Sequence, residues 1–141
     1  MGKKANNEDK IMWKVMIVDD EKLICKLVQA LVEWDKLGMQ MAAQAENAIQ
    51  ALDMLQQYRP DILITDIRMP GMDGLELIKN AKKICPELEI IIISGYAHFE
   101  YARNALSLGV GNYLLKPIKQ DELNETLRKI GERLDAKKSA Q

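Results

Sequence analysis

Asp61-Ile62-Leu63-Ile64-Thr65-Asp66-Ile67-Arg68-Met69-Pro70-Gly71-Met72-Asp73-Gly74-Leu75 is the stretch that decides the fold. A short apolar run ends on an acid, and Pro70-Gly71-Met72-Asp73-Gly74 supplies strong turn chemistry. Such a run, bounded by turn signals, reads as a buried strand. Leu75, Ile78 and Ala81 then recur at helical spacing until about Ile84, and Pro86 stops the helix. The unit is strand, acid, turn, helix.

Related units lie on both sides. Upstream, Met12 to Val18 is an apolar run ending at Asp19-Asp20. From Glu21 to Glu33, Leu23, Ile24, Leu27, Val28, Leu31 and Val32 form one helical face. After Gly38, Met39, Met41 and Ala43 alternate with Gln40, Ala42 and Gln44 in a short strand. Ala48 to Tyr58 is helical through Ile49, Leu52 and Leu55, and Pro60 blocks its continuation. Downstream, Ile90 to Ile93 makes a fourth strand closing at Ser94-Gly95. Phe99, Ala102, Ala105 and Leu106 mark a fourth helix that Gly109 and Gly111 terminate. Tyr113-Leu114-Leu115 is a fifth strand cut off by Lys116-Pro117, and the last helix carries Leu123, Leu127, Ile130 and Leu134. Five strands alternating with five helices predict an α/β fold, a doubly wound parallel sheet with helices on both faces. Residues 1–11 read as a disordered lead-in, 12–136 as one domain, and 137–141 as a frayed tail or the start of a linker to a domain not present.

The bulk properties narrow the function. The chain has 141 residues, enough for one core, with 20 Lys and Arg against 21 Asp and Glu. A net charge of −1 gives no global pull toward nucleic acid or an anionic membrane. Cys25 and Cys85 form no C-x-x-C pair, and the lone His98 argues against a histidine-rich metal site. No segment approaches the ~20 apolar residues that span a bilayer, and the polar start does not read as a signal peptide, so a cytoplasmic protein is expected. Without a secretory signal, the sequon Asn124-Glu125-Thr126 reads as chance.

The polar residues gather at strand ends. Asp19 and Asp20 close the first strand, Asp66 the third, Ser94 the fourth, and Lys116 the fifth. Open α/β sheets bind ligands beyond the carboxyl ends of their strands, near the topological switch point, so these residues should meet there. Three carboxylates in one place resist ionising without a counter-charge, and Mg²⁺, which prefers oxygen ligands, answers that need together with Lys116. Asp66 would then be a nucleophile able to form an aspartyl-phosphate, with positioning and electrostatics doing most of the catalytic work.

Val18-Asp19-Asp20-Glu21, Asp66 through Gly74, Ser94-Gly95 and Lys116-Pro117-Ile118 together resemble the signature set of two-component response-regulator receiver domains, over about Lys14 to Ile130. The stretch from Gly95-Tyr96 to Lys116-Pro117 further resembles receivers fused to AraC-type DNA-binding domains. The resemblance implies a flavodoxin-like strand order 2-1-3-4-5. It implies Asp66 as phosphoacceptor, with Asp19, Asp20, Asp66 and the backbone carbonyl of Arg68 around Mg²⁺. Lys116 would contact the phosphoryl oxygens, Ser94 would be the switch hydroxyl, and Tyr113 the aromatic that turns inward. A cis bond is implied before Pro117. The partner would be a histidine kinase, and the protein would catalyse only its own phosphorylation and dephosphorylation. The face of the fourth helix, fifth strand and fifth helix, with Phe99 and Tyr101 nearby, would control an output such as transcription and could form a homodimer. DNA would be reached only through an absent output domain, and no membrane is involved.

Other readings stand beside these. Asp19 and Asp20 alone would cap a helix, Ser94-Gly95 is also common turn chemistry, and an aromatic such as Tyr113 most often packs. A phosphatase or phosphotransferase working through an aspartyl-phosphate, a degenerate receiver that only binds protein, and a flavin or nucleotide carrier are the rival functions.

Overall fold

The computed structural model describes residues 12–69, 71, 74–95, 104 and 110–140. In chain order the elements are β1 (Trp13–Val18), α1 (Lys22–Leu31), α2 (Trp34–Leu37), β2 (Met39–Ala45), α3 (Ala48–Tyr58), β3 (Ile62–Asp66), α4 (Gly74–Ile84), β4 (Glu89–Ser94), β5 (Asn112–Leu115) and α5 (Gln120–Ser139). The expected helix of Phe99, Ala102, Ala105 and Leu106 lies outside the described residues.

All strand pairs are parallel and the order is 2-1-3-4-5, as expected. The apolar strands follow from burial on both faces. Val15, Ile17, Ile62, Ile64, Ile91 and Ile93 pack with Val28, Leu123, Leu127 and Ile130 of α1 and α5. The alternate residues Met16, Val18, Leu63, Ile90 and Ile92 pack with Ala51, Leu55, Leu77 and Ile78 of α3 and α4. Period-two alternation thus feeds two cores, so neither side of these central strands is polar.

Local chemistry sets several element ends. Asn47 caps α3 by accepting the Gln50 N–H at 2.8 Å, while the Gln50 side chain accepts the Glu46 N–H at 2.8 Å. Gly38 ends α2 in the left-handed region, at φ 67°, which glycine adopts without a Cβ penalty.

The structure corrects three details. The helix expected to Glu33 stops at Leu31, Val32 turns extended, and a separate α2 follows. Leu23 and Ile49, counted on apolar faces, are 77% and 74% exposed, and Leu27 is also exposed. The register of β2 slips between Val15 and Met16, so Ala43 faces the α3–α4 core while Met39 and Met41 face the α1–α5 core. One extra residue on a strand reverses every later side chain, which uninterrupted alternation could not anticipate. The last helix, α5, is continuous from Gln120 to Ser139.

Because Ile91 is fully buried and Ile49 is not, their truncations should separate. Ile91→Ala is expected to lower stability by about 2–5 kcal/mol. Ile49→Ala should change it by less than ~0.5 kcal/mol, with urea unfolding as the measurement.

Candidate functional site

The strand order reverses direction at β1, whose neighbours are β2 and β3. Val18 pairs with Thr65, so Asp19 and Asp66 leave adjacent strands side by side. The turn after β1 is braced by its own chain. Asp19 donates its N–H to the Ala45 carbonyl at 3.1 Å, and its carboxylate accepts the Glu21 N–H at 2.9 Å. The thiol of Cys25 donates to the Asp19 carbonyl at 3.7 Å. Burial, reinforced by the Asp19 charge, pushes that thiol up to about 11, which keeps it protonated at neutral pH.

Asp66 is buried at the end of β3. Its Oδ1 accepts the Ile67 N–H at 2.6 Å and the Arg68 N–H at 3.4 Å, which orients the carboxylate. Thr65 donates its hydroxyl to the Asp66 carbonyl at 2.9 Å. The loop after Asp66 returns onto the strand where Gly74 donates its N–H to the Ile67 carbonyl at 2.7 Å. A Cβ on Gly74 would lie 2.6 Å from both the Asp66 carbonyl oxygen and Ile67 Cα. Only glycine allows this approach, because the obstacle is backbone.

Lys116 reaches the same place from the end of β5. Its Nζ lies 3.3 Å from Asp66 Oδ2, 3.6 Å from Asp19 Oδ2 and 3.9 Å from Glu21 Oε1. Its backbone N–H donates to the Ser94 carbonyl at 2.8 Å, and its bond to Pro117 is cis. Burial alone would make the ammonium easier to deprotonate; the charges of Asp19, Asp66 and Glu21 outweigh it and hold Lys116 above its ordinary value.

Oxygens of Asp19, Asp20 and Asp66 lie within 4.8 Å of one another, a donor set that suits a hard cation. Asp19 and Asp66 are buried and Asp20 is exposed, so the cluster opens to solvent on one side. Burial raises the Asp19 carboxyl to about 6, with the Asp66 and Asp20 charges adding to the rise and the Glu21 N–H and Lys116 opposing it. One lysine does not fully compensate these acids, so the donors fit a divalent cation.

Of the residues anticipated from sequence, Asp19, Asp20, Asp66 and Lys116 meet. Arg68 lies two residues past Asp66 with its side chain exposed. Ser94 is buried at the end of β4 and donates its hydroxyl to the Gly95 carbonyl at 3.2 Å. Tyr113 packs against the α3–α4 core, and its hydroxyl is buried with no hydrogen-bond partner among the described residues. Phe99 and Tyr101 lie outside the described residues. Sequence reasoning gave no separate role to Glu21, the third acid on Lys116, although it adjoins the acidic pair.

The family model of the response regulator receiver domain matches residues 15–128. The chain belongs to the receiver-domain family. Among relatives, the uncharacterized transcriptional regulatory protein YesN of Bacillus subtilis is 40% identical over 119 residues, covering 84% of this chain and 32% of YesN. The transcriptional regulatory protein HptR of Staphylococcus aureus is 33% identical, covering 84% of this chain and 46% of HptR. The receiver therefore spans a third to a half of these curated relatives. Of solved structures, the receiver domain of AraT, a response regulator from Geobacillus stearothermophilus, superposes with a TM-score of 0.87 at 38% identity, covering 91% of this chain and 99% of that one. A two-component transcriptional regulator AraC from Clostridium phytofermentans gives 0.82 at 34% identity, covering 92% and 99%. No described helix of the receiver is long and apolar enough to cross a membrane.

Two outcomes test the geometry. The folded carboxyl of Asp19 holds its proton better than the unfolded one, so its stabilising effect is complete below about pH 3.8 and lost as pH rises through about 6. In EDTA, Asp19→Asn should therefore gain on the wild type across that window. By pH 8 the gain should reach the order of 3 kcal/mol, read from denaturant midpoints. Gly74→Ala should lower stability by about 1–3 kcal/mol, because backbone must move to admit the methyl group.

Proposed function

We propose that this receiver is the phosphoacceptor domain of a two-component system, taking a phosphoryl group from a histidine kinase onto Asp66. The observation that carries the reading is the convergence of Asp19, Asp20 and Asp66 on Lys116 at the junction of β1 and β3. Membership of the family supports it.

In this reading Asp19, Asp20, Asp66 and the backbone carbonyl of Arg68 hold Mg²⁺. A bound Mg²⁺ would supply positive charge to the phosphoryl oxygens. A carboxylate oxygen of Asp66 attacks phosphorus, the bond from phosphorus to the donor nitrogen breaks, and its electron pair stays on the imidazole. Backbone N–H groups of Ile67 and Arg68 orient the attacking carboxylate, so little motion is needed to align it. Lys116 is already charged and aimed at Asp66, and the incoming oxyanions draw it from Asp19 and Glu21. The chain thus catalyses only its own phosphorylation and dephosphorylation.

The same event would be read at a distance. The oxyanions attract the Ser94 hydroxyl, now turned to the Gly95 carbonyl, and the chain after β4 follows it. Tyr113 shares the end of the sheet, where Ser94 pairs with Leu115. Its buried hydroxyl has no hydrogen-bond partner among the described residues, which is compatible with a ring able to change position. The face of the expected fourth helix, β5 and α5 would then pass the signal to an output, as a homodimer surface or partner site. Transcription is the proposed output, through a DNA-binding part outside residues 12–136, and the setting is cytoplasmic.

Incubation with Mg²⁺ and acetyl phosphate, an acid quench and intact-mass measurement tests the reading. A gain of one phosphoryl mass is expected, lost in Asp66→Asn and in EDTA. If the wild type gains no mass and also fails to bind beryllofluoride with Mg²⁺, the phosphoacceptor reading is wrong and a binding-only receiver remains.

A further inference from the structure

Asn124, on the second turn of α5, is 8% exposed, and its amide is spent on backbone groups of two regions. Its Nδ2 donates to the Leu31 carbonyl at 2.8 Å and to the Gln120 carbonyl at 2.9 Å. Its Oδ1 accepts the Glu33 N–H at 2.8 Å. Leu31 is the last residue of α1 and Glu33 immediately precedes α2. One side chain, far away in sequence, therefore caps the end of one helix and the entry to the next. The Gln120 side chain adds a longer bond to the same Leu31 carbonyl, at 3.2 Å.

The surrounding contact is apolar, with Leu123 and Leu127 of α5 in one cluster with Val28 and Val32. Apolar surfaces tolerate sliding because the hydrophobic effect has no direction. An amide with two backbone partners on the facing segment does not, since hydrogen bonds weaken steeply with distance and angle. Any slide of α5 along α1 would strand the Leu31 carbonyl and the Glu33 N–H, while the bond to Gln120, inside α5, would move with the helix.

We propose that Asn124 is a latch that fixes the register of α5 on α1, so that the end of α1, the start of α2 and the first turns of α5 open together. The inference goes beyond phosphoryl transfer and does not depend on it. It also removes the sequon, because the amide nitrogen of Asn124 is engaged inside the fold.

Native-state hydrogen exchange at single-residue resolution on the full chain tests the latch, comparing wild type with Asn124→Leu and Asn124→Asp. In wild type the Glu33 amide should be protected. In Asn124→Leu it should exchange about tenfold faster relative to the Leu127 and Ile130 amides, since its acceptor is gone. In Asn124→Asp the acceptor remains, so Glu33 should stay protected while the denaturation midpoint falls. An unprotected Glu33 amide in wild type, or an equal acceleration of all these amides in Asn124→Leu, would overturn the latch. Should Asn124→Leu not fold, Asn124→Asp decides: Glu33 protected with a lowered midpoint supports the latch, and any other result rejects it.

Discussion

Two carboxylates buried on adjacent strands, sharing one lysine, form the constraint around which the receiver is organised. Isolated charges are not buried cheaply, so Asp19 and Asp66 require compensation. Lys116 supplies part of it from the far side of the sheet, crossing from the end of β5 to the β1–β3 junction. The sheet order makes this possible, because β1 and β3 are neighbours and β4 lies between β3 and β5. Burial, with the Asp66 and Asp20 charges adding to it, leaves the Asp19 carboxyl raised, and positive charge brought to the cluster would relieve that. Some folded-state stability is thereby exchanged for a site ready to accept positive charge.

The local supports of this site have different physical characters. Asp66 is aimed by backbone N–H groups, and the loop beyond it closes against bare backbone at Gly74. Asp19 is held by a bond to β2, by its own turn and by the Cys25 thiol from α1. Nearly all of these groups belong to rigid elements or to the first residues beyond them, which restricts how far a carboxylate can drift.

What was legible in the sequence follows from the range of the forces involved. Buried parallel strands leave apolar runs, and acids or a lysine at their ends stand out against those runs. The sheet and four of the site residues, Asp19, Asp20, Asp66 and Lys116, could therefore be read. Helix ends were less legible where the partner is remote. The Leu31 carbonyl at the end of α1 is met by Asn124, and nothing near Leu31 announces it. Ile49 and Leu23 misled because apolar residues at helical spacing need not all face a core. The slip in β2 escaped detection because an inserted residue looks the same as any other in a run of small side chains. Glu21 is plain as a residue, but its place beside Lys116 arises from the approach of β5 to the turn after β1, which sequence spacing does not carry.

That slip in β2 has a further consequence. Among the described residues, β2 and β5 are the outermost strands of the sheet, each hydrogen-bonded to a strand on one side only. An outer strand is a template for intermolecular strand addition, the first step of aggregation. The irregularity in β2 interrupts that template by throwing successive peptide groups out of phase. β5 offers only four residues to an incoming strand. Both margins of the sheet are thus poor docking tracks for another backbone, which favours solubility at high local concentration and leaves association to helices and loops.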